Sequence, residues 1–186
     1  MANGGNDDLA ALLARLSYRK GRFRLASGRE SDFYVDVKRT VMTAVGARAV
    51  GHALLERMRA SDIETVGGMA VGAVPLVTAC LAAAAERDVE LEGFFVRPVA
   101  KDHGTERKID GLFDPSRRIA LVEDVVTTGG STLAAIDSVE AAGAKVALIV
   151  TVVDREEEDG MNRLRERAGR VEALATRSQI VDAASG

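Results

Sequence analysis

The run Ile119-Ala120-Leu121-Val122, followed at once by Glu123-Asp124 and then by Val125-Val126-Thr127-Thr128-Gly129-Gly130-Ser131-Thr132, restricts the fold more than any other stretch. Apolar residues without alternation mark a strand covered on both faces, as in a parallel sheet flanked by helices. A sheet with one wet face would alternate instead. The strand over Arg118–Glu123 therefore delivers two adjacent carboxylates at its carboxyl end. A small, hydroxyl-rich and glycine-rich turn then opens a helix over Ser131–Ala142. In open α/β sheets ligands bind at that edge.

The same alternation runs through most of the chain. Helical spacing over Ala44–Ala60 precedes a short strand at Thr65–Gly68. Helix Ala73–Arg87, strand Leu91–Arg97, a polar stretch from Pro98 to Pro115, and strand Lys145–Val153 continue the pattern. Met161–Ala168 reads as helix and Val171–Thr176 as a last edge strand. Ahead of all this, Asn6, Asp7 and Asp8 are placed to cap a helix over Leu9–Leu16. Two alternating runs, Phe23 and Leu25 and then Phe33, Val35 and Val37, flank Ala26-Ser27-Gly28-Arg29 as strand, turn and strand. The prediction is one α/β domain with a doubly wound, mainly parallel sheet. The 98–115 stretch is long for a connection within a domain, and such loops are usually functional lids or disordered.

Composition excludes several classes. With 25 basic against 28 acidic residues the net charge is −3, aromatics are 4% and Trp is absent, so neither the basic footprint nor the stacking surface of a nucleic-acid binder is present. The longest apolar-rich run, Val74–Ala85, is interrupted by Pro75 and Thr78 and is shorter than the ~18 residues of a membrane span. The single cysteine, Cys80, forms no intrachain disulfide and no multi-cysteine zinc site. The first residues lack the basic and apolar regions of a secretory signal. The expected location is the cytoplasm, with no nucleic-acid or membrane partner.

The turn after Asp124 has the chemistry of a monophosphate site. Backbone N–H groups of Thr127–Ser131 and the positive end of the helix attract an anion, glycines allow close approach, and the acids can accept from sugar hydroxyls. No lysine precedes Ser131, so this is not a nucleoside triphosphate loop, and no G-x-G-x-x-G fingerprint occurs. A receiver domain also places paired acids at a strand end, but after its first strand. Taken alone, the two acids would read as solvated strand-end charges.

Val122–Thr132 resembles the phosphoribosyl diphosphate signature of the type I phosphoribosyltransferases. Three further segments resemble the orotate phosphoribosyltransferase branch: Phe23–Gly28 with Phe33-Tyr34, Arg97 with Lys101-Asp102-His103-Gly104, and Val153-Asp154-Arg155. The likeness runs from about Gly21 to Arg155 in the same order. It implies a small N-terminal hood over residues 1–40, a mobile catalytic loop over 98–115, and transfer of a phosphoribosyl group to orotate with release of diphosphate. Arg97, Lys101 and His103 would contact the diphosphate, with Lys101 and His103 on a loop shared across a homodimer. Glu123, Asp124, Val125, Val126, Thr127, Thr128, Gly129, Gly130 and Ser131 would bind ribose 5-phosphate. Thr127 and Arg155 would meet orotate, and the segment before Phe33 and Tyr34 would wall the pyrimidine pocket. Magnesium would be held largely by substrate oxygens. Lys101, His103 and Asp124 are the implied catalytic residues. The chain departs from relatives at Pro98, where a second basic residue is common, at Ala26, and at Val71-Gly72, which replace a tyrosine-lysine pair; this implies a different branch.

Elementary chemistry asks for these residue types independently. Displacing diphosphate from C1 of ribose puts positive charge on the ring and negative charge on the leaving group, which calls for carboxylates at the sugar and cations at the diphosphate. A closing loop containing Gly104 and Gly111 would exclude water, and a planar guanidinium such as Arg155 suits a carboxylated base. Lys38 and Arg39 follow the pocket wall and are as plausibly functional as solvated. His52 reads as structural, Cys80 as core, the cluster Arg15, Arg19, Lys20, Arg22 and Arg24 as a solvated face, and Glu156–Asp159 as a solvated acidic loop. A purine-base phosphoribosyltransferase would keep the phosphate turn but has less use for the Lys-Asp-His loop and Arg155. A non-catalytic regulator sensing phosphoribosyl diphosphate would need an added basic module.

Overall fold

A computed structural model describes residues 4–24, 30–98 and 108–185. Helix α1 (Gly4–Leu16) leads into a hairpin of β1 (Tyr18–Arg24) and β2 (Glu30–Val35), followed by a single turn α2 (Lys38–Val41) and α3 (Ala44–Arg59). Then come β3 (Thr65–Gly67), α4 (Ala73–Ala85), β4 (Glu92–Val96), β5 (Ile109–Gly111), β6 (Ile119–Val126), α5 (Gly130–Ala141), β7 (Val146–Asp154), α6 (Gly160–Arg165), β8 (Val171–Thr176) and α7 (Arg177–Ser185). Thr43 caps α3, its hydroxyl accepting from the Gly46 N–H at 3.1 Å.

The main sheet has the order β5-β4-β3-β6-β7-β8. All neighbours in it are parallel except β5 on β4. Residues on β6 alternate between two separate cores. Ala120 and Val122 join one with Leu54, Leu76 and Val150, while Ile119 and Leu121 join the other with Ile136, Val139 and Ile149. That is the physical meaning of the unbroken run: both faces are buried beneath helices, and each fully buried Leu or Ile contributes roughly 1.5–3 kcal/mol. From β3 the chain winds outward to β4, and from β6 outward the other way to β7 and β8, so the strand order reverses between β3 and β6. A crevice at the carboxyl ends of these two strands is where such a sheet takes its ligand.

The doubly wound, mainly parallel α/β reading is borne out, and three local expectations are corrected. Asn6, Asp7 and Asp8 lie inside α1 rather than before it. The 98–115 stretch is not all loop, because Ile109–Gly111 pairs antiparallel with Phe94–Val96; three residues are too few to show a period. The strand containing the two acids extends to Val126. The chain after β8 forms α7, which buries Ile180 in the first core. Ala26, Ser27, Gly28, Arg29 and residues 99–107, with Lys101, Asp102, His103 and Gly104, lie outside the described residues. Among the described residues no helix is long and apolar enough to cross a membrane. Arg15, Arg19, Lys20 and Arg22 are exposed and Cys80 is fully buried, as expected.

Candidate active site

At the β3/β6 crevice a cavity of about 350 Å³ is lined by Lys38, Met69–Gly72, Glu123, Asp124 and Ser131. A wider concavity of about 810 Å³ lies between β5 and α5, lined by Ile109, Phe113, Ala134, Asp137 and others. It holds neither the acid pair nor the glycine-rich turn, so the chemistry belongs to the smaller cavity.

The two acids, adjacent in sequence, do different work. Glu123 is 5% exposed, and its Oε2 accepts from the Ser131 hydroxyl at 2.6 Å and the Thr132 hydroxyl at 2.9 Å. It pins the first turn of α5 to the end of β6. Burial, reinforced by the neighbouring Asp124 carboxylate, pushes Glu123 up to about 7 against the pull of those two hydroxyls. Asp124 faces the cavity. Its Oδ1 accepts from the Val125 N–H at 2.9 Å and its Oδ2 from Lys38 Nζ at 3.3 Å. Lys38 is also 2.9 Å from Asp36.

The turn that follows is braced from behind. Gly129 caps α5 in the left-handed region at φ 76°, a conformation that glycine adopts without penalty. The Gly130 N–H donates to the Thr128 hydroxyl at 3.3 Å, and Arg163 from α6 donates to the Thr128 carbonyl at 3.0 Å. Gly160 packs directly beneath Thr127. Val126 is buried and offers its backbone, with its carbonyl accepting from the Arg155 N–H at 3.1 Å. Val125 is partly buried beside the first core.

Arg155, at the end of β7, is 4% exposed. Its guanidinium lies 5.3 Å from the Phe33 ring centroid, donates to the Phe33 carbonyl at 3.1 Å and pairs with Glu157 at 3.2 Å. Glu157 also takes Arg177 at 3.0 Å, which reaches Asp32 of the hood at 2.7 Å. Glu156 accepts from the Ser178 hydroxyl at 2.6 Å. The expectation of a solvated acidic loop at Glu156–Asp159 is therefore corrected for its first two residues, whose carboxylates tie the hood, the end of β7 and α7 together. Arg97 emerges from β4 paired with Asp110 of β5 and stacked 5.6 Å from the Phe95 centroid.

No protein-family model matches this chain. It is 39% identical over 176 residues to an orotate phosphoribosyltransferase of Sorangium cellulosum, covering 93% of this chain and 91% of that relative. The chain belongs to the orotate phosphoribosyltransferase family. The Mycobacterium tuberculosis H37Rv orotate phosphoribosyltransferase, solved in complex with Fe(III) dicitrate, superposes with a TM-score of 0.82 at 34% identity, over 95% of this chain and 98% of that one. The same M. tuberculosis protein in complex with 5-phospho-alpha-D-ribosyl 1-diphosphate gives 0.76 at 29% identity, over 95% and 99%.

Within this family member the structure brings Glu123, Asp124 and the turn 127–131 together at one strand end. It sets Arg155 under the hood beside Phe33, and it places Arg97 where β4 leaves the sheet. The sequence leaves Lys38 evenly balanced between a functional and a solvated role and reads Glu157 as part of a solvated acidic loop, and it does not single out Arg163 or Arg177. For Lys38 the signal was its position just after the pocket-wall strand. The other three are charges on helices or loops with no local pattern to distinguish them. Arg39 donates to the Leu16 carbonyl at 3.1 Å and serves the fold; His52 pairs with Glu86 at 2.9 Å, away from the cavity.

Proposed function

We propose that this chain transfers the 5-phosphoribosyl group of phosphoribosyl diphosphate to orotate, yielding orotidine 5′-monophosphate and diphosphate. The observation that carries the reading is that one cavity is lined both by the carboxylate of Asp124 and by Ser131, in the first turn of the helix that Gly129 caps. The 5-phosphate takes the turn 127–131, where backbone N–H groups and the helix dipole favour an anion. The ribose then lies over Asp124. As the C1 bond to the diphosphate oxygen breaks ahead of the new bond to the base nitrogen, positive charge gathers on the ring and the carboxylate opposes it. The base nitrogen gives up its proton to water, and the diphosphate leaves with the bonding pair. Arg155 supports orotate as the acceptor: it is a planar donor beside Phe33, and the carboxylate of the base would compete with Glu157 for it.

Magnesium fits these residues. Of the two carboxylates at the cavity, Glu123 is engaged by the Ser131 and Thr132 hydroxyls, and Asp124 suits a cation that keeps most of its ligands as substrate oxygens and water. Bound there through Asp124 and the diphosphate, it would neutralise charge on the leaving group. Arg97, Lys101 and His103 complete the diphosphate contacts in this reading. The protein acts as a cytoplasmic homodimer whose Lys101 and His103 serve the partner's site, with no nucleic-acid or membrane partner.

Offering orotate, uracil, adenine and hypoxanthine separately with phosphoribosyl diphosphate tests the base. Product from orotate alone is expected, and product from a purine alone would overturn the assignment. Mixing Lys101→Ala with Arg155→Ala subunits after joint refolding tests the shared site. Random two-fold pairing predicts about one quarter of wild-type activity from two nearly inactive variants, and no recovery would place Lys101 in its own subunit's site.

A further inference from the structure

The cavity must receive a diphosphate, yet the segment after β3 brings no cation to it. Residues 69–72 are Met-Ala-Val-Gly, and the backbone at Gly72 is packed so closely on the acid that a Cβ there would lie 3.0 Å from both Cγ and Oδ1 of Asp124. A side chain at that position would crowd the carboxylate, so positive charge has to arrive from another element. Lys38 is the one cationic side chain lining the cavity among the described residues. It comes from α2, at the foot of the hood, with its ammonium 3.3 Å from Asp124 and 2.9 Å from Asp36. Half of its side-chain surface is exposed, so the ammonium is open to a ligand.

We propose that Lys38 is a substrate-binding residue for the diphosphate end of phosphoribosyl diphosphate, held ready by Asp124 and Asp36 in the free protein. The inference rests on the function proposed above. With the 5-phosphate in the turn 127–131 and the ribose over Asp124, the C1 substituent is the part of the substrate that extends beyond Asp124, toward the wall made by Lys38 and residues 69–72. The ribose hydroxyls supply Asp124 with new donors, which frees the ammonium to turn from the acid to the diphosphate oxygens. Asp36 stays beside it and limits its swing. Lysine suits this handover, being a compact charge on a flexible stem rather than a rigid fork.

Isothermal titration of phosphoribosyl diphosphate, inorganic diphosphate and ribose 5-phosphate, each with magnesium, into wild type, Lys38→Ala and Lys38→Arg tests this. Lys38→Ala should weaken phosphoribosyl diphosphate and diphosphate at least tenfold and ribose 5-phosphate less than twofold. Lys38→Arg should recover phosphoribosyl diphosphate to within about threefold. A role confined to orienting Asp124 would weaken ribose 5-phosphate as much as phosphoribosyl diphosphate, and that result, or unchanged affinity for all three, overturns the proposal. No step of the titration involves the base. A wild type that binds phosphoribosyl diphosphate but makes no orotidine 5′-monophosphate therefore refutes the orotate assignment alone, whereas a wild type that does not bind it overturns both.

Discussion

Gly160→Ala should damage phosphate binding from behind the site, without altering any group placed in contact with substrate. Gly160 opens α6 directly under the turn. A methyl added there would stand 2.8 Å from Cγ1 of Val126 and 2.9 Å from the carbonyl carbon of Thr127, with the Thr127 oxygen nearer still. Ordinary contact begins at about 3.4 Å, and the Thr127 oxygen lies at 2.2 Å, so roughly 1.2 Å of separation has to be found. Val126 is fixed in the second core and its strand is paired along β7, which leaves the turn or α6 to move. Arg163 couples the two through the Thr128 carbonyl, so either motion drags the N–H groups of residues 127–131. Misplacement by about 1 Å costs on the order of a hundredfold in such sites, so a ten- to hundredfold rise in KM for phosphoribosyl diphosphate is expected. Overpacking should also cost about 1–3 kcal/mol, and for a chain of this size each kcal/mol lowers Tm by about 2–4 °C. Steady-state kinetics together with thermal denaturation would read both effects. Gly143→Ala provides the control, since Gly143 has φ 87° at the far end of α5 with nothing within 4 Å of its Cβ position; it should lower Tm through backbone strain and leave KM unchanged. If Gly160→Ala lowers Tm but leaves KM for phosphoribosyl diphosphate at the wild-type value, the turn is mechanically independent of α6 and the reasoning is refuted.

Asp124→Asn should lower kcat by two orders of magnitude or more with little change in Tm, because it removes the charge that opposes the ribosyl cation; an unchanged kcat would withdraw that role. Arg155→Ala should raise KM for orotate far more than KM for phosphoribosyl diphosphate, and equal effects would leave Arg155 as a support for the hood through Phe33 rather than a contact to the base. Glu123→Gln should change the pH dependence of stability. The folded carboxyl, at about 7, keeps a proton that the unfolded chain has lost above its ordinary value near 4.3, so wild type should lose stability relative to the variant as pH rises from about 4.5 to 7. Urea midpoints of both proteins at pH 5 and pH 8 measure this, and a constant difference would contradict a buried, proton-retaining Glu123.

Much of this architecture is legible in local pattern. Burial on both faces of β6 requires the unbroken apolar run, and covalent adjacency places Glu123, Asp124 and the turn 127–131 in one strand-turn-helix unit whatever the rest of the chain does. Strand β5 and helix α7 were not legible. A three-residue antiparallel partner carries no period, and α7 buries little beyond Ile180, so its apolar signal is faint. Nor did local pattern separate the two acids by role, since their difference comes from what packs on them: α5 hydroxyls on Glu123, Lys38 on Asp124.

The sequence by itself determined the doubly wound α/β class, the strand that presents the acids and the turn that follows it, because periodicity and chain continuity act over a few residues. Tertiary structure alone decided which charges meet. Lys38 and Asp124 are 86 residues apart, and Arg177 and Asp32 are 145 apart. Such partners are chosen by strand order, by register and by which helix lies over which strand end. These are set by the whole core at once, and no local stretch of sequence encodes them.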